Sequence, residues 1–296
     1  MSNKKAKSSE VPIKKKVAKE AAEWGKSLLY AVVAATIIRL FVFETMLVPT
    51  GSMIPTINPK DRLFIEKITY TAREPKIGDI VVFWSPYVDE RAQTMLRWFD
   101  KFMDLFAPRR FKGHVKYVKR LVGREGDVLQ IKKDEQGQYR LYVNGEIPES
   151  LKNIVYEPEG IFEYPELINW FVEASRLRKD LIAYQRYLQD LASKQGAYAA
   201  NLVASVVGGI PQIPLGIPFY EAYDKIYADI NISEYIRNAP DGVTVTVPEG
   251  FYFFMGDNSK ESFDSRYFGF VPKDHVIGRP ILRIWPFQSF GPVQGS

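Results

Sequence analysis

Residues 115–145 read VKYVKRLVGREGDVLQIKKDEQGQYRLYVNG, and this stretch sets the fold class. Tyr117–Val122, Val128–Ile131 and Tyr139–Val143 are short and rich in β-branched and aromatic side chains, a composition that suits a pleated, half-buried surface. Turn signals separate them, ending at Asn144-Gly145. The same rhythm extends outward in both directions. Leu63–Ile68 and Asp79–Trp84 precede the stretch, the second of them opened by Gly78-Asp79, and Val243–Val247, Phe251–Met255 and Val276–Trp285 come after it. Short strands in series with punctuating turns predict a mainly β chain on an antiparallel core.

Two segments break the rhythm. Between Asp89 and Phe106, the residues Met95, Phe99, Phe102, Met103 and Phe106 recur at helical spacing, with Arg91, Arg97 and Lys101 elsewhere on the surface. That pattern predicts an amphipathic helix. From Pro165 to about Val207, apolar positions from Leu167, Trp170 and Phe171 through Leu177 and Leu181 to Leu188 and Leu191 keep the roughly 3.6-residue period of a helix. A long helical insertion is expected there, closed by the Gly- and Pro-rich loop Gly208–Pro218. The β core is then split in sequence around a helical cap.

The chain has 296 residues, 46% of them hydrophobic, which suits one large or two modest buried cores and argues against disorder. Its net charge of +5 resides in a tail: eight Lys and three Glu leave residues 1–26 at +5 and the remainder at zero. A short basic tail before an apolar run reads as a cytoplasmic anchor flank, not as a nucleic-acid surface. The run is SLLYAVVAATIIRLFVF, Ser27 to Phe43, followed by Glu44 and further apolar residues to Val48. About 20 apolar residues span a bilayer, so the run suffices if Arg39 snorkels at the far interface. A cleavable signal peptide shares this layout but needs small residues at its cut. Here the chain continues through Met46, Leu47, Val48 and Pro49, so an uncleaved anchor is expected, with the N-terminus cytoplasmic and everything after about residue 45 outside. Cysteine is absent, which excludes disulfides and thiolate metal sites. The expected organisation is a tail over 1–26, an anchor over 27–48, a first part of the β core over 49–149, a largely helical insertion over 150–240 and a second part of the core over 241–296.

Just beyond the anchor, Pro49-Thr50-Gly51-Ser52-Met53-Ile54-Pro55-Thr56 exposes a serine on a Pro-bounded turn, and the preceding glycine lets a substrate backbone approach. A serine hydroxyl attacks when a nearby base takes its proton. Neither histidine, His114 nor His275, sits in a recognisable triad motif. Lysine serves instead when an apolar site disfavours its charged form. Lys119 lies where strand alternation sets it among apolar neighbours. A third segment, Gly256-Asp257-Asn258-Ser259-Lys260-Glu261-Ser262-Phe263-Asp264-Ser265-Arg266, is too polar to be core although strand-like stretches flank it.

In that order behind an anchor, the Ser-Met-x-Pro-Thr box, the Lys-Arg-x-x-Gly-x-x-Gly-Asp box and the Gly-Asp-Asn…Ser-x-Asp-Ser-Arg box resemble the bacterial type I signal peptidases. The likeness covers residues 28–84, 115–145 and 250–285, whereas 87–113 and 150–240 carry no motif. The resemblance implies a signal-peptidase-like β fold and a serine–lysine dyad of Ser52 and an unprotonated Lys119. It implies oxyanion donors at the Ser52 N–H and the hydroxyl of Thr50, where many relatives have serine. It further implies that Ser262 hydrogen-bonds the lysine, and that Asp264 and Arg266 form a supporting ion pair. The implied substrates are signal-peptide-bearing precursor proteins whose cleavage site, with small residues at the first and third positions before the cut, lies extended between Leu47–Thr50 and Val115–Val118. Met46, Val48, Pro49, Tyr117 and Val118 are the expected substrate-binding residues. No metal or organic cofactor is needed. Membrane lipids are the expected second partner. Trp98, Phe99, Phe102, Phe106, Arg109, Arg110 and Trp285-Pro286-Phe287 are candidates for that contact, or else pack beneath the cap.

Three rival readings share parts of this pattern. A self-cleaving repressor-type peptidase shares the dyad but is soluble. A β-lactamase-like enzyme needs lysine three residues after the serine, where Pro55 stands. A single-pass surface protein whose helical cap binds a partner needs no dyad at all.

Overall fold

The computed structural model describes residues 13–88, 94, 98, 101, 107–208, 223, 225–227 and 229–293. Apart from Thr94, Trp98 and Lys101, the amphipathic helix expected over 89–106 lies outside the described residues, as does most of the loop expected over 208–218. The chain divides into two compact units, Met1–Glu44 and Thr45–Ser296.

In the first unit, helix α1 spans Ile13–Phe41. Its stretch Glu20–Phe41 has 22 residues and holds an 18-residue window with a mean hydropathy of 1.4, long and apolar enough to cross a membrane. At 1.5 Å per residue that is about 33 Å, against a hydrocarbon layer of about 30 Å. Leu28, Leu29, Tyr30, Val32 and Ile37 all stand exposed along it. The helix does not continue to Val48 as the apolar run suggests. It stops at Phe41, and Phe43–Leu47 is strand β1, next to strand β2 (Arg62–Glu66), where the backbone polar groups find partners across a sheet.

The second unit carries the remaining strands: β3 (Ile80–Val88), β4 (His114–Arg124), β5 (Val128–Lys133), β6 (Tyr139–Val143), β7 (Ile236–Ala239), β8 (Gly242–Thr246), β9 (Phe251–Met255), β10 (Val271–Pro272), β11 (Val276–Trp285) and β12 (Gly291–Pro292). The large sheet runs β1-β2-β11-β3-β4-β9-β10, with β12 on β11, and the small one runs β6-β5-β8-β7. From β2 onward the pairings are antiparallel. The mainly β reading therefore holds, and the long crossovers β2–β11 and β5–β8 join chain segments on either side of the insertion.

Over 165–207, where one long helix is expected, there are three: α2 (Leu167–Leu177), α3 (Leu181–Gln195) and α4 (Ala197–Val207). Asp180 breaks the first junction by accepting hydrogen bonds from the Ile182 and Ala183 N–H groups, an N-cap that starts a new helix. Gly196, at φ 93°, breaks the second. Phe171, Tyr184 and Val203, one from each helix, are fully buried in the same core as Phe83, Leu121 and Phe254 of the large sheet and Leu129 and Val245 of the small one. A second, smaller core gathers Val48, Met53, Ile57, Leu63, Ile80 and Val118. That smaller core seats the Ser52 turn.

Candidate active site

Ser52 sits on the turn between β1 and β2. The turn is closed by Ile54 N–H on the Gly51 carbonyl (3.1 Å) and Ile57 N–H on the Met53 carbonyl (2.9 Å). Met53 and Ile57 are fully buried, so the residues beside Ser52 are anchored in the smaller core and the serine position is fixed from below. From the far side, the Asn258 N–H donates to the Ser52 carbonyl (3.0 Å) and Asn258 Nδ2 donates to the Gly51 carbonyl (3.1 Å).

Lys119 enters from β4, paired with Val81 of β3. It is only 5% exposed, and its Nζ and the Ser52 Oγ share a short hydrogen bond. The Tyr117 ring lies 5.9 Å from Nζ, on the same strand face two residues away. Burial pulls the Lys119 amine down from 10.5 to about 8; Asp264 and Asp257 push it back up, and Arg266 pushes it further down. A lysine is thus brought to where a base for serine must stand, with its neutral form accessible near neutral pH.

Asp264 and Arg266 are fully buried and paired two-pronged: Nε to Oδ1 at 2.9 Å and Nη2 to Oδ2 at 3.0 Å. Burial pushes the Asp264 carboxyl up, but Arg266 and the Gly256 N–H outweigh it and hold the group below its ordinary value. Ser262 is buried beside Gly256, where an added Cβ would overlap both the Ser262 hydroxyl and the Ser52 carbonyl oxygen. Its hydroxyl makes no hydrogen bond of regular geometry with a described residue, and its dipole helps to hold the Asp264 carboxylate ionised. The lysine-bracing hydrogen bond that the resemblance implies for Ser262 is not formed here.

The remaining expected residues divide. Met46 packs against the small core with the buried Val48 and Val118, while Pro49 and Thr50 are exposed. Val118 projects from β4 on the face opposite Tyr117 and Lys119, because successive strand residues alternate. Tyr117 hydrogen-bonds Tyr87 through their hydroxyls at 2.9 Å. His114 and His275 flank Phe111 with their Nδ1 atoms on the Ser85 and Trp84 carbonyls, and burial pulls His275 down to about 4. Their place is structural.

Arg120 and Asp257 are buried neighbours of the candidate dyad to which the sequence reading gave no role. Their buried two-pronged pair (2.7 and 2.6 Å) ties β4 to the polar loop, with Arg120 Nη1 on the Gly78 carbonyl at 2.6 Å and the Thr56 hydroxyl donating to Asp257. A signal for them exists: an arginine inside an apolar strand is tolerated only when it is paired. Among the described residues no cluster of His, Cys, Asp and Glu is set up to hold a metal ion.

Comparison with known proteins shows the family of the chain. Residues 21–285 match the family model of signal peptidase, peptidase S26. A probable signal peptidase I-2 of Synechocystis is 26% identical over 91% of this chain and 75% of its own length. The signal peptidase I of Aquifex aeolicus is 26% identical over 86% and 80%, and signal peptidase I T of Bacillus subtilis 28% identical over 90% and 86%. The chain belongs to the signal peptidase family, peptidase S26.

Proposed function

We propose that this protein is a membrane-anchored type I signal peptidase that cuts N-terminal signal peptides from exported precursors at the outer face of the cytoplasmic membrane. The anchor is the apolar helix ending at Phe41, the lysine-rich tail lies in the cytoplasm, and the catalytic unit is outside. The split β core carries the chemistry, and the helices within Leu167–Val207 brace it through Phe171, Tyr184 and Val203.

The reaction runs from the contact between Lys119 Nζ and Ser52 Oγ, the observation that carries the proposal. With the amine neutral, the Ser52 O–H donates to the Nζ lone pair and Oγ attacks the scissile carbonyl. The oxyanion is received by the Ser52 N–H and the Thr50 hydroxyl. Threonine must turn its oxygen inward to do this, because its Cβ is branched. The Lys119 ammonium then passes its proton to the leaving amine. Water, deprotonated by Lys119, hydrolyses the acyl-enzyme. The substrate lies extended along residues 47–50 and 115–118, pairing through its backbone. Met46, Val48, Pro49, Tyr117 and Val118 border that path, and their bulk favours small side chains. Asp264 and Arg266 hold the loop behind the lysine, and Ser262 stands between that loop and the Ser52 turn.

Cleavage of a precursor with alanines before its junction tests this reading in detergent. Wild type cuts it; Ser52→Ala and Lys119→Ala do not. Cleavage surviving in either variant removes the dyad.

A further inference from the structure

The first turn of the insertion, residues 156–162, reaches the back of the polar loop and grips it. Arg266 is fully buried, and besides Asp264 its guanidinium donates to the Ser259 hydroxyl (2.7 Å), the Ser259 carbonyl (2.6 Å), the Glu159 carboxylate (3.3 Å) and the Glu157 carbonyl (3.4 Å). The Glu157 N–H donates to the same Ser259 hydroxyl at 2.9 Å, and the Tyr267 hydroxyl donates to Glu159 at 3.3 Å. Gly160, at φ 65°, packs so tightly that an added Cβ would overlap the Arg266 carbonyl. Three separate contacts thus join a segment without any motif to the residue that pairs with Asp264.

We propose that Glu159 is a positioning residue of the active site: through Arg266 and Asp264, it and Gly160 make the start of the helical insertion a buttress that fixes the position and electrostatic surroundings of the Lys119 amine. This inference rests on the dyad reading above. The charged groups that act on the amine are Asp264, Arg266 and Asp257, and the Tyr117 ring lies 5.9 Å from it on β4. Behind them, Glu159 and Tyr267 act on Arg266, Arg120 and Tyr156 act with Asp257, and Lys260 lies near Glu157. Arg266 disfavours the ammonium of Lys119 and Asp264 favours it. Glu159, its side chain 28% exposed, offsets part of the Arg266 charge. Removing that carboxylate leaves Arg266 less compensated, so Lys119 loses its proton more easily.

The test is the pH profile of precursor cleavage by the full chain in detergent. Glu159→Gln keeps an acceptor oxygen for Arg266 and Tyr267 but removes the charge. Its kcat at the plateau is expected within about threefold of wild type. The acid limb of kcat/KM is expected to move to lower pH by about 0.3, the scale of one partly exposed charge screened by an effective dielectric well above ~20. Glu159→Ala removes the contact as well. There kcat is expected to fall about tenfold with KM unchanged, short of the ~100-fold cost of a 1 Å displacement of a reacting group. Glu163→Gln, which removes an exposed charge from the same segment, is expected to leave limb and plateau alone. Glu159 variants that melt at lower temperature yet keep the wild-type limb and plateau overturn the proposal, and Glu159→Gln remains decisive if Glu159→Ala does not fold. A Ser52→Ala variant run in parallel separates the two readings: if it cleaves, the dyad fails, whereas an inactive Ser52→Ala beside a wild-type Glu159→Gln profile removes the buttress alone.

Discussion

Replacing Lys119 with methionine should destroy activity and make the protein more stable at neutral pH. Burial lowers the lysine from 10.5 to about 8, so near pH 7 about one amine in ten is neutral, against roughly three in ten thousand for an exposed lysine. The same displacement is a stability cost of roughly 3 kcal/mol at pH 7, since each tenfold in protonation is about 1.4 kcal/mol. The sign comes from where the protons sit. Below pH 8 the folded and unfolded chains both hold the proton, and the folded chain bears the full cost of a buried ammonium. Between pH 8 and 10.5 the folded chain has released it while the unfolded chain keeps it, so stability rises with pH. Above 10.5 the cost is gone. Methionine has similar length and no charge, but it leaves the buried Ser52 hydroxyl without its partner, a loss of about 1 kcal/mol. Lys119→Met is therefore expected to exceed wild type by about 2 kcal/mol at pH 7 and to draw level by pH 10. Urea unfolding of both proteins in detergent, followed by tryptophan fluorescence, measures the gap at the two pH values. A gap that stays constant with pH, or widens, would refute the assignment of Lys119 as a buried amine with a depressed proton affinity.

Three further expectations are independent of that one. Thr50→Val keeps the shape of the side chain and removes its hydroxyl, so kcat should fall about 100- to 1000-fold with KM unchanged, while Thr50→Ser should retain activity. Steady-state kinetics on one precursor decides between them. Gly256→Ala places a methyl group against the Ser262 hydroxyl and the Ser52 carbonyl oxygen, and should cost about 1–3 kcal/mol of stability and most of the activity; a fully active variant would show that this loop yields. Asp257→Asn strands the Arg120 guanidinium, whose side chain is 6% exposed, and should destabilise by about 3–5 kcal/mol in urea unfolding.

Much of this fold is legible in the sequence because local rules govern it. Val128–Lys133, Tyr139–Val143 and Phe251–Met255 are strands by composition, and their ends fall at turn residues. Pairing partners are not legible in that way. The register of Val128 against Thr246 joins residues on opposite sides of the insertion, and Ile236–Ala239, which runs into Pro240, is a strand only because β8 lies beside it. In the insertion the helical period is legible, and its interruptions are masked by that period although Asp180 as a cap and Gly196 as a breaker are both local signals. The same contrast holds at the site. Alternation predicts apolar company for Lys119, and the same alternation turns Val118 to the other face of β4. What alternation cannot give is Arg120 finding Asp257 across 137 residues, or Arg266 finding Glu159.

The arrangement of those charges explains why, of Lys119, Arg120 and Arg266, the lysine alone is made a weaker base. Arg120 has Asp257 and Arg266 has Asp264, each pair two-pronged and buried, so each guanidinium meets a carboxylate that repays its desolvation. Lys119 is buried among them, and its amine hydrogen-bonds a serine hydroxyl. Asp264 and Asp257 attract its proton, but Arg266 opposes them, and each carboxylate is already engaged with its own arginine. Burial is therefore the largest influence on the amine and pulls it downward. An arginine in the same place would stay charged, since guanidinium does not deprotonate in proteins, and could not accept the Ser52 proton. The loop that supplies both aspartates thus leaves burial in control of a side chain that neither of them directly bonds.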